Sequence, residues 1–459
     1  MSRIITDIAV IGGGPAGYSA AVQAFKTGAR VVLLEKASLG GTCLNHGCIP
    51  TKTMLHSANL LRSIQTSARF GVVCNNSILD IEKLKGRCDE VISILHSSMA
   101  ALLEEHKIDI LAGKASFHSP YDIEIQASDG SVTMLHAAKI IIASGSAPQK
   151  LSVQGGDSPN ILYSSDLLEL KFIPARLVII GGGAVGLELA AIMHSAGSQV
   201  SVVEIAQHIL PYEDKEITSV LERALKRDGI QIHTNSIVHK IESSATAGKV
   251  YFSHAGVETA LETEAICVCI GQQPEFAHLG LDAAGVICDE RGIQVDAYMQ
   301  TSAPHIYAAG DVTGVGMLAY VALSQGRIAV INVSGRIQAM DYTAIPRCVF
   351  TTPEVASVGF DESEALANGI AVRILRSSLA SNPYATIQGE RRGFVKLVID
   401  AKSGKLLGAQ LVGSGAASLI SECALAIKLG ATARDLSHTL HPHPSLAEAL
   451  QEAALSDIY

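Results

Sequence analysis

Short apolar runs recur along the chain, each stopped by a glycine cluster and followed by a stretch with helical spacing. In DIAVIGGGPAGYSAAVQAFKTGARVVLLE a β-rich run meets glycines, a helix-like stretch follows, and a second strand ends at Glu35. The segment LVIIGGGAVGLELAAIMHSAGSQVSVVE repeats that grammar and ends at Glu204. A repeated βαβ unit predicts two nucleotide-binding domains. Further on, the strand-like IYAAG of TSAPHIYAAGDVTG stops at Gly310 and Asp311. From about Tyr342, short strands (PRCVFTT, FVKLVID, LLGAQLVG) alternate with helix-like segments (ASLISECALAIKLG, SLAEALQEAAL), which predicts a separate α+β domain. The fold expected is therefore α/β, with two Rossmann-like dinucleotide-binding domains and a carboxyl-terminal α+β domain. The run from Leu177 to Gly197 is apolar enough to suggest a membrane span, but Gly181, Gly182, Gly183, Glu188 and His194 interrupt it, so none is expected.

Composition narrows the class. A chain of 459 residues with 48% hydrophobic content buries more than one core needs, and the 41 glycines lie between apolar runs as strand-to-helix turns do. With no Trp and only 4% aromatics the core must be aliphatic. A net charge of −9 without a Lys/Arg-rich run speaks against nucleic acid or an acidic membrane surface as partner. MSRIITDIAV enters a strand-like run with no basic-then-apolar leader, so a cytoplasmic protein is expected. Nine cysteines, an odd number, argue against a structural disulfide framework. Cys74, Cys88, Cys267, Cys269, Cys288, Cys348 and Cys423 have no metal-ligand spacing, and no metal is expected. Cys267 and Cys269, in AICVCIG, read as small buried hydrophobes.

Chemistry concentrates in three motifs. Each βαβ unit carries G-x-G-x-x-G, at Gly12, Gly14 and Gly17 and again at Gly181, Gly183 and Gly186. Alone the pattern is weak; after a strand, opening a helix and trailed by Glu35 or Glu204, it is strong. The glycines let backbone N–H groups approach a pyrophosphate at a helix N-terminus, and the carboxylate accepts from ribose hydroxyls. Glu204 would repel a 2′-phosphate, so the nicotinamide cofactor expected in the second unit is NAD. Between the units, GGTCLNHGCIPTK places Cys43 and Cys48 at the start of a helix bounded by Pro50 and followed by Lys52. Two thiols there can close a small-ring disulfide, and a helix N-terminus favours the thiolate that exchange requires.

These motifs together resemble the pyridine nucleotide–disulfide oxidoreductase family, over essentially the whole chain. The resemblance implies FAD at Gly12, Gly14, Gly17 and Glu35, and NAD at Gly181, Gly183, Gly186 and Glu204. It implies further cofactor contacts at Lys36, Gly41, Thr42, Lys52, Ser144 and Gly145, and at Val238 and Gly271. Asp311 matches the residue on the FAD ribityl chain, and Met317, Leu318 and Ala319 match the run beside the flavin pyrimidine. Lys52 and Glu188 match an ion pair near flavin N5, where a fixed cation favours charge on the reduced ring. The implied domains are 1–150 for FAD, 151–271 for NAD, 272–341 returning to the central FAD region, and 342–459 for dimerisation.

HPHPSLAEA discriminates within the family. A helix is expected to begin near Ser445, a candidate N-cap with Glu448 completing a capping box, which would explain Glu448 without chemistry but not His443. The resemblance makes His443 and Glu448 an acid–base pair facing the redox cysteines of the other subunit of a homodimer. A His held by a carboxylate suits a thiol proton. The motif is more similar to the dihydrolipoyl-oxidising branch than to the glutathione-reducing branch, implying a lipoyl-carrying protein of a 2-oxo acid dehydrogenase or glycine cleavage complex as partner. Another disulfide or small oxidant is the alternative substrate. Three positions depart from the family habit: Gln272 and Gln273 where Arg usually follows the glycine, Tyr320 in place of His, and His46 where Val is common.

Overall fold

Val31–Glu35 is apolar up to its last residue and buried throughout, the signature of a parallel strand covered on both faces. It pairs in parallel with Arg3–Ile11, which pairs with Val132–Ile142 on its other side. Asp109–Ala112 extends one edge and Ile306–Ala308 adds in parallel to Val132–Ile142, while Asp122–Gln126 and Lys114–Phe117 continue antiparallel. Ile140, Ile141 and Ile142 lie at the centre with 0% exposure. Each such side chain contributes roughly 1.5–3 kcal/mol by burial.

The computed structural model describes residues 3–456. The chain divides into two compact units, and this sheet belongs to the one formed by Met1–Thr53, Glu82–Gln149 and Gly271–Met340. Helix Pro15–Phe25 starts with proline where its fixed φ is pre-organised and packs on helix Ala319–Val333, with Ser19 Oγ donating to the Leu323 carbonyl at 2.8 Å. The crossing is tight: a Cβ on Gly326 would stand 2.2 Å from the Ala16 carbonyl oxygen.

The second unit comprises Met54–Ile81, Lys150–Ile270 and Asp341–Tyr459. Its nucleotide-binding sheet is wholly parallel, in the order Gln231–His233, Gln199–Val203, Arg176–Ile180, Ala265–Val268, Ile161–Tyr163. An antiparallel meander of Ser236–Ser243, Gly248–His254 and Val257–Thr263 stands beside it. The apolar run from Leu177 resolves into strand Arg176–Ile180 and helix Ala184–Ser195. Among the described residues no helix is long and apolar enough to cross a membrane. The carboxyl-terminal region is an antiparallel sheet of Arg347–Val349, Glu354–Gly359, Leu406–Gly413, Phe394–Asp400 and Val372–Ser378, in that spatial order. Helices Ala416–Leu429 and Glu448–Leu455 contribute to its core.

A buried charge ties this region to the nucleotide-binding one. Lys396, on strand Phe394–Asp400, is 1% exposed, and its ammonium meets Asp214 at 2.8 Å, Glu216 at 3.0 Å and Glu362 at 3.2 Å. Asp214 is also the N-cap of helix Lys215–Asp228. Arg347 adds a second tie to Glu213 at 2.8 Å.

Two expectations need correction. The last helix begins at Glu448 rather than near Ser445. The Ser445 amide donates to Glu448 Oε2 at 2.8 Å, but the buried Ser445 hydroxyl has no partner, so only half of a capping box forms and the Glu448 carboxylate is shared with His443. Of the two cysteines expected as small buried hydrophobes, Cys267 is fully buried on its strand, whereas Cys269 lies just beyond the strand end and is half-buried, and their sulfurs are 3.6 Å apart.

Candidate active site

The first fingerprint loop is held by its own acid. Glu35 accepts from the Gly13 amide at 2.6 Å and from the Ala37 amide at 2.8 Å. A carboxylate has about four lone-pair sites, so two remain for ribose hydroxyls. Gly12 has φ +103°, and a Cβ there would stand 2.3 Å from the Ala143 carbonyl oxygen; only glycine fits. Around the carboxyl ends of the strands, Ser144 Oγ donates to the Glu275 carbonyl at 2.7 Å, the Glu275 amide donates to the Gly145 carbonyl at 3.0 Å, and Lys36 pairs with the Glu275 carboxylate at 2.7 Å. Asp311 accepts from Ser146 Oγ at 2.7 Å, and burial pushes its carboxyl above the usual range while that hydroxyl pulls it back. A deep acceptor facing a loop of amides suits a polyhydroxylated chain ending in a pyrophosphate. Leu318 caps helix Ala319–Val333, with Met317 and Ala319 half-buried at the same turn.

The redox motif follows directly. The Gly40 amide donates to the Gly13 carbonyl at 2.8 Å, and a Cβ on Gly41 would meet Gly14 Cα at 2.9 Å. Residues 40–45 thus roof the fingerprint and carry Cys43 in the short helix Gly41–Asn45, while Cys48 opens helix Cys48–Gln65. Hydrogen bonding with Cys48, then burial, then the charge of a Cys48 thiolate hold the Cys43 thiol well above its usual range, with Lys52 acting in the opposite sense. The pair therefore resists being two thiolates at once, as a couple exchanging between dithiol and disulfide should.

In the second unit the loop geometry repeats. Glu204 accepts from the Gly182 amide at 2.5 Å and the Ala206 amide at 2.7 Å. A Cβ on Gly181 would stand 2.3 Å from the Cys269 carbonyl oxygen, whereas one on Gly183 would meet nothing within 4 Å. Glu188 is 2% exposed on the helix that this loop opens and accepts from the Phe350 amide at 3.0 Å. Val238 is half-buried beside a register shift in its strand. In the carboxyl-terminal region, His443 Nδ1 lies 2.8 Å from Glu448 Oε1. A carboxylate only accepts, so Nδ1 carries the proton and Nε2 is left as the basic nitrogen of an imidazole that is 71% exposed. Hydrogen bonding to His443, then to the Ser445 amide, lowers the Glu448 carboxyl below its usual range.

The pyridine nucleotide-disulphide oxidoreductase family matches residues 6–326, and that family's dimerisation domain matches residues 345–454. The chain belongs to this family. Dihydrolipoyl dehydrogenases of Chlorobaculum tepidum and Bacillus subtilis are 38% and 37% identical to it, each alignment covering 98% of this chain and 96% and 98% of theirs. A solved structure described as the Cu(II) complex of the HOCl-induced flavoprotein disulfide reductase RclA from Escherichia coli superposes with a TM-score of 0.88 at 30% identity, over 99% of both chains.

As a member of the pyridine nucleotide-disulphide oxidoreductases the protein is a flavoprotein that uses FAD and NAD and carries a carboxyl-terminal dimerisation domain. Each fingerprint loop fits such a dinucleotide: an anchored carboxylate with spare acceptor capacity, and glycines where a side chain would block approach. The three departures lie in different settings. His46 is exposed and its amide caps the short redox helix through Thr42. Gln272 is paired in register with Pro148, and its side-chain oxygen is buried without a partner. Tyr320 is 42% exposed near the start of its helix.

Several supporting residues are not legible in the motifs. Asn45 Nδ2 donates to the Leu39 and Gly41 carbonyls at 2.9 Å each and its Oδ1 meets His96 Nε2 at 3.1 Å, bracing the redox loop from helix Ile81–Glu105. His441, with its side chain 4% exposed, bonds Glu422 at 3.0 Å and the Thr439 carbonyl at 3.0 Å, anchoring the turn that presents His443. The doubled histidine of HPHP was the available signal for the second of these.

Proposed function

We propose that the protein is a dihydrolipoyl dehydrogenase, oxidising protein-bound dihydrolipoyl groups through Cys43 and Cys48 and reducing NAD. The observation that carries this reading is the His443–Glu448 pair at 2.8 Å, an exposed base oriented by a carboxylate, in a chain whose full-length relatives bear that enzyme name. In the homodimer, Nε2 of His443 of the partner subunit takes a proton from one dihydrolipoyl thiol. The resulting thiolate attacks Cys43, breaking the Cys43–Cys48 disulfide and releasing Cys48 as thiolate. The second substrate thiol loses its proton and displaces Cys43, so the lipoyl group leaves as a disulfide and the protein keeps the dithiol. FAD, when bound, supplies the two-electron relay from that dithiol to NAD. Lys52 and Glu188 keep the paired role the resemblance implies, and Glu448 fixes the imidazole tautomer and stabilises its cation. The domain limits 1–150, 151–271, 272–341 and 342–459, a lipoyl-carrying partner of a 2-oxo acid dehydrogenase or glycine cleavage complex, and a cytoplasmic location complete the proposal.

A second reading, an NAD(P)H-dependent reductase of another disulfide or small oxidant, is favoured by the likeness to a flavoprotein disulfide reductase and by Gln272, Gln273 and Tyr320. Steady-state oxidation of dihydrolipoamide with NAD, beside NADP and beside glutathione disulfide with NADH, separates the two. Fast turnover confined to dihydrolipoamide with NAD supports the first; inactivity there with reduction of another disulfide transfers the function to the second.

A further inference from the structure

The two fingerprint loops are backed by equivalent residues, and the second backing residue is a cysteine. A Cβ on Gly12 or on Gly181 would stand 2.3 Å from a carbonyl oxygen, that of Ala143 in the first loop and that of Cys269 in the second. Cys269 leaves strand Ala265–Val268 with its amide donating to the Ile180 carbonyl at 2.7 Å, at the carboxyl edge where an open parallel sheet binds its ligand. Its sulfur lies 3.6 Å from that of Cys267. Residues two apart share one face of a strand, but straight strand geometry rises about 3.3 Å per residue and keeps such side chains well separated. The sulfurs come into contact where the strand ends, just after Val268. Cys267 has 0% exposure while Cys269 is half-buried, so Cys269 is the member of the pair that an oxidant reaches first.

We infer that Cys267 and Cys269 are a second dithiol, closed to a disulfide by a two-electron oxidant of the peroxide class, and that closure weakens NAD binding at the loop beside it. The thiolate of Cys269 attacks one peroxide oxygen, breaking the O–O bond, forming a sulfenic acid and releasing hydroxide. Cys267 then attacks that sulfur and displaces its hydroxyl group. The oxidant leaves as two waters carrying both thiol protons, and the thiols have lost two electrons to it. Hydrogen bonding with Cys269, then burial, then the charges of Cys269 and Asp166 hold the Cys267 thiol well above its usual range, which makes Cys267 the resolving partner. Closing the sulfurs to the bonded distance of about 2.05 Å moves them by roughly 1.5 Å. The Cys269 carbonyl oxygen occupies the place where a Cβ on Gly181 would stand, so a shift of the Cys269 backbone changes the packing behind the fingerprint loop. Thiol–disulfide exchange with an added dithiol at Cys269 reverses the closure.

This inference rests on the placement of NAD at Gly181–Gly186. The test uses the FAD-loaded dimer, treated with stoichiometric hydrogen peroxide, alkylated, digested and mapped by mass, with calorimetric titration of NAD in the absence of any dithiol. The expected result is a peptide holding Cys267 and Cys269 that carries no alkyl group and lacks two hydrogens. With it, the Kd for NAD rises roughly tenfold, a loss of about 1.4 kcal/mol of binding. Dithiothreitol restores it, and Cys269→Ser shows no peroxide effect. Alkylation of both cysteines after peroxide overturns the inference, as does a closed pair with unchanged Kd. The NAD placement is tested separately by Gly183→Ala in untreated protein, where unchanged NAD affinity would remove that placement while leaving the mass map to judge the dithiol.

Discussion

The two nucleotide loops are near copies in backbone and unlike in what covers them. In both, a glutamate takes the amide of the glycine between the first two motif glycines, Gly13 for Glu35 at 2.6 Å and Gly182 for Glu204 at 2.5 Å, and the third glycine of the motif leaves no room for a side chain. In both, a later amide closes on that same in-between glycine, from Gly40 at 2.8 Å and from Leu210 at 2.9 Å. The first loop is then roofed by the chain running into Cys43, with Gly41 against Gly14; Gly183 of the second faces open space. A covered loop suits a resident group and an open one suits a reactant that comes and goes. The same backbone device thus suits retention or exchange according to its neighbours, and the units also differ in the groups proposed for the reaction, Cys43 and Cys48 in the first and the His443–Glu448 pair in the second.

Substitutions that treat the loops alike should give unlike results. Gly17→Val would put a Cβ 1.7 Å from the Gly12 carbonyl oxygen; the purified protein should be colourless and destabilised by about 3 kcal/mol or more, read by flavin absorbance and thermal melting. Gly186→Val, where the distance is 2.1 Å, should keep its flavin and lose NAD turnover. Equal flavin loss in both variants would erase the distinction.

Glu448→Gln should lower kcat for dihydrolipoamide by about 10²-fold, the lower end of general-base contributions, with flavin content unchanged. The Glu448 carboxyl lies below its usual range because His443 and the Ser445 amide favour the charged form. A depressed carboxyl contributes its support above the unfolded value and loses it as pH falls through the lowered one. The wild-type profile should therefore hold its His443–Glu448 coupling down to acidic pH, while Glu448→Gln should lose rate throughout; a profile of kcat/KM against pH checks this.

Gly183→Ala should fold normally and raise the KM for NAD about tenfold, equivalent to roughly 1.4 kcal/mol, because the added methyl occupies the space a pyrophosphate needs. Gly14→Ala, whose Cβ would be 3.8 Å from Gly41 Cα, should reduce flavin retention instead. Effects of similar size should come from Glu204→Gln and Glu35→Gln. Each amide oxygen can keep one of the two backbone donors, and each variant should lose about 1–2 kcal/mol, with only the former relaxing the preference for NAD over NADP.

What could be read from the chain was local. Two glycine fingerprints, their trailing glutamates and the C-x-x-x-x-C pair each sit within a few dozen residues, where spacing alone reports geometry. The long helix Ile81–Glu105 and the meander over 236–263 carry no such punctuation and were not legible. The Lys396 cluster joins residues that share no motif and meet only through tertiary packing. The start of the last helix was misplaced because Ser445 with Glu448 spells a capping box, while the histidine two residues earlier competes for the same carboxylate. Cys267 is buried as its place in the strand implies, whereas Cys269 is less buried than alternation suggests because the strand ends at Val268.

The Lys396 cluster bears on how the chain can be cut. Two of its three carboxylates, Asp214 and Glu216, lie outside the matched dimerisation segment 345–454, and only Glu362 lies within it. A fragment trimmed to that segment would carry an ammonium made for a three-sided anionic socket with one side left. It would lose those ion pairs together with the cover that keeps Lys396 1% exposed in the whole chain. The matched segment is thus a unit of resemblance, and the smallest piece that folds well should extend upstream to include the start of helix Lys215–Asp228.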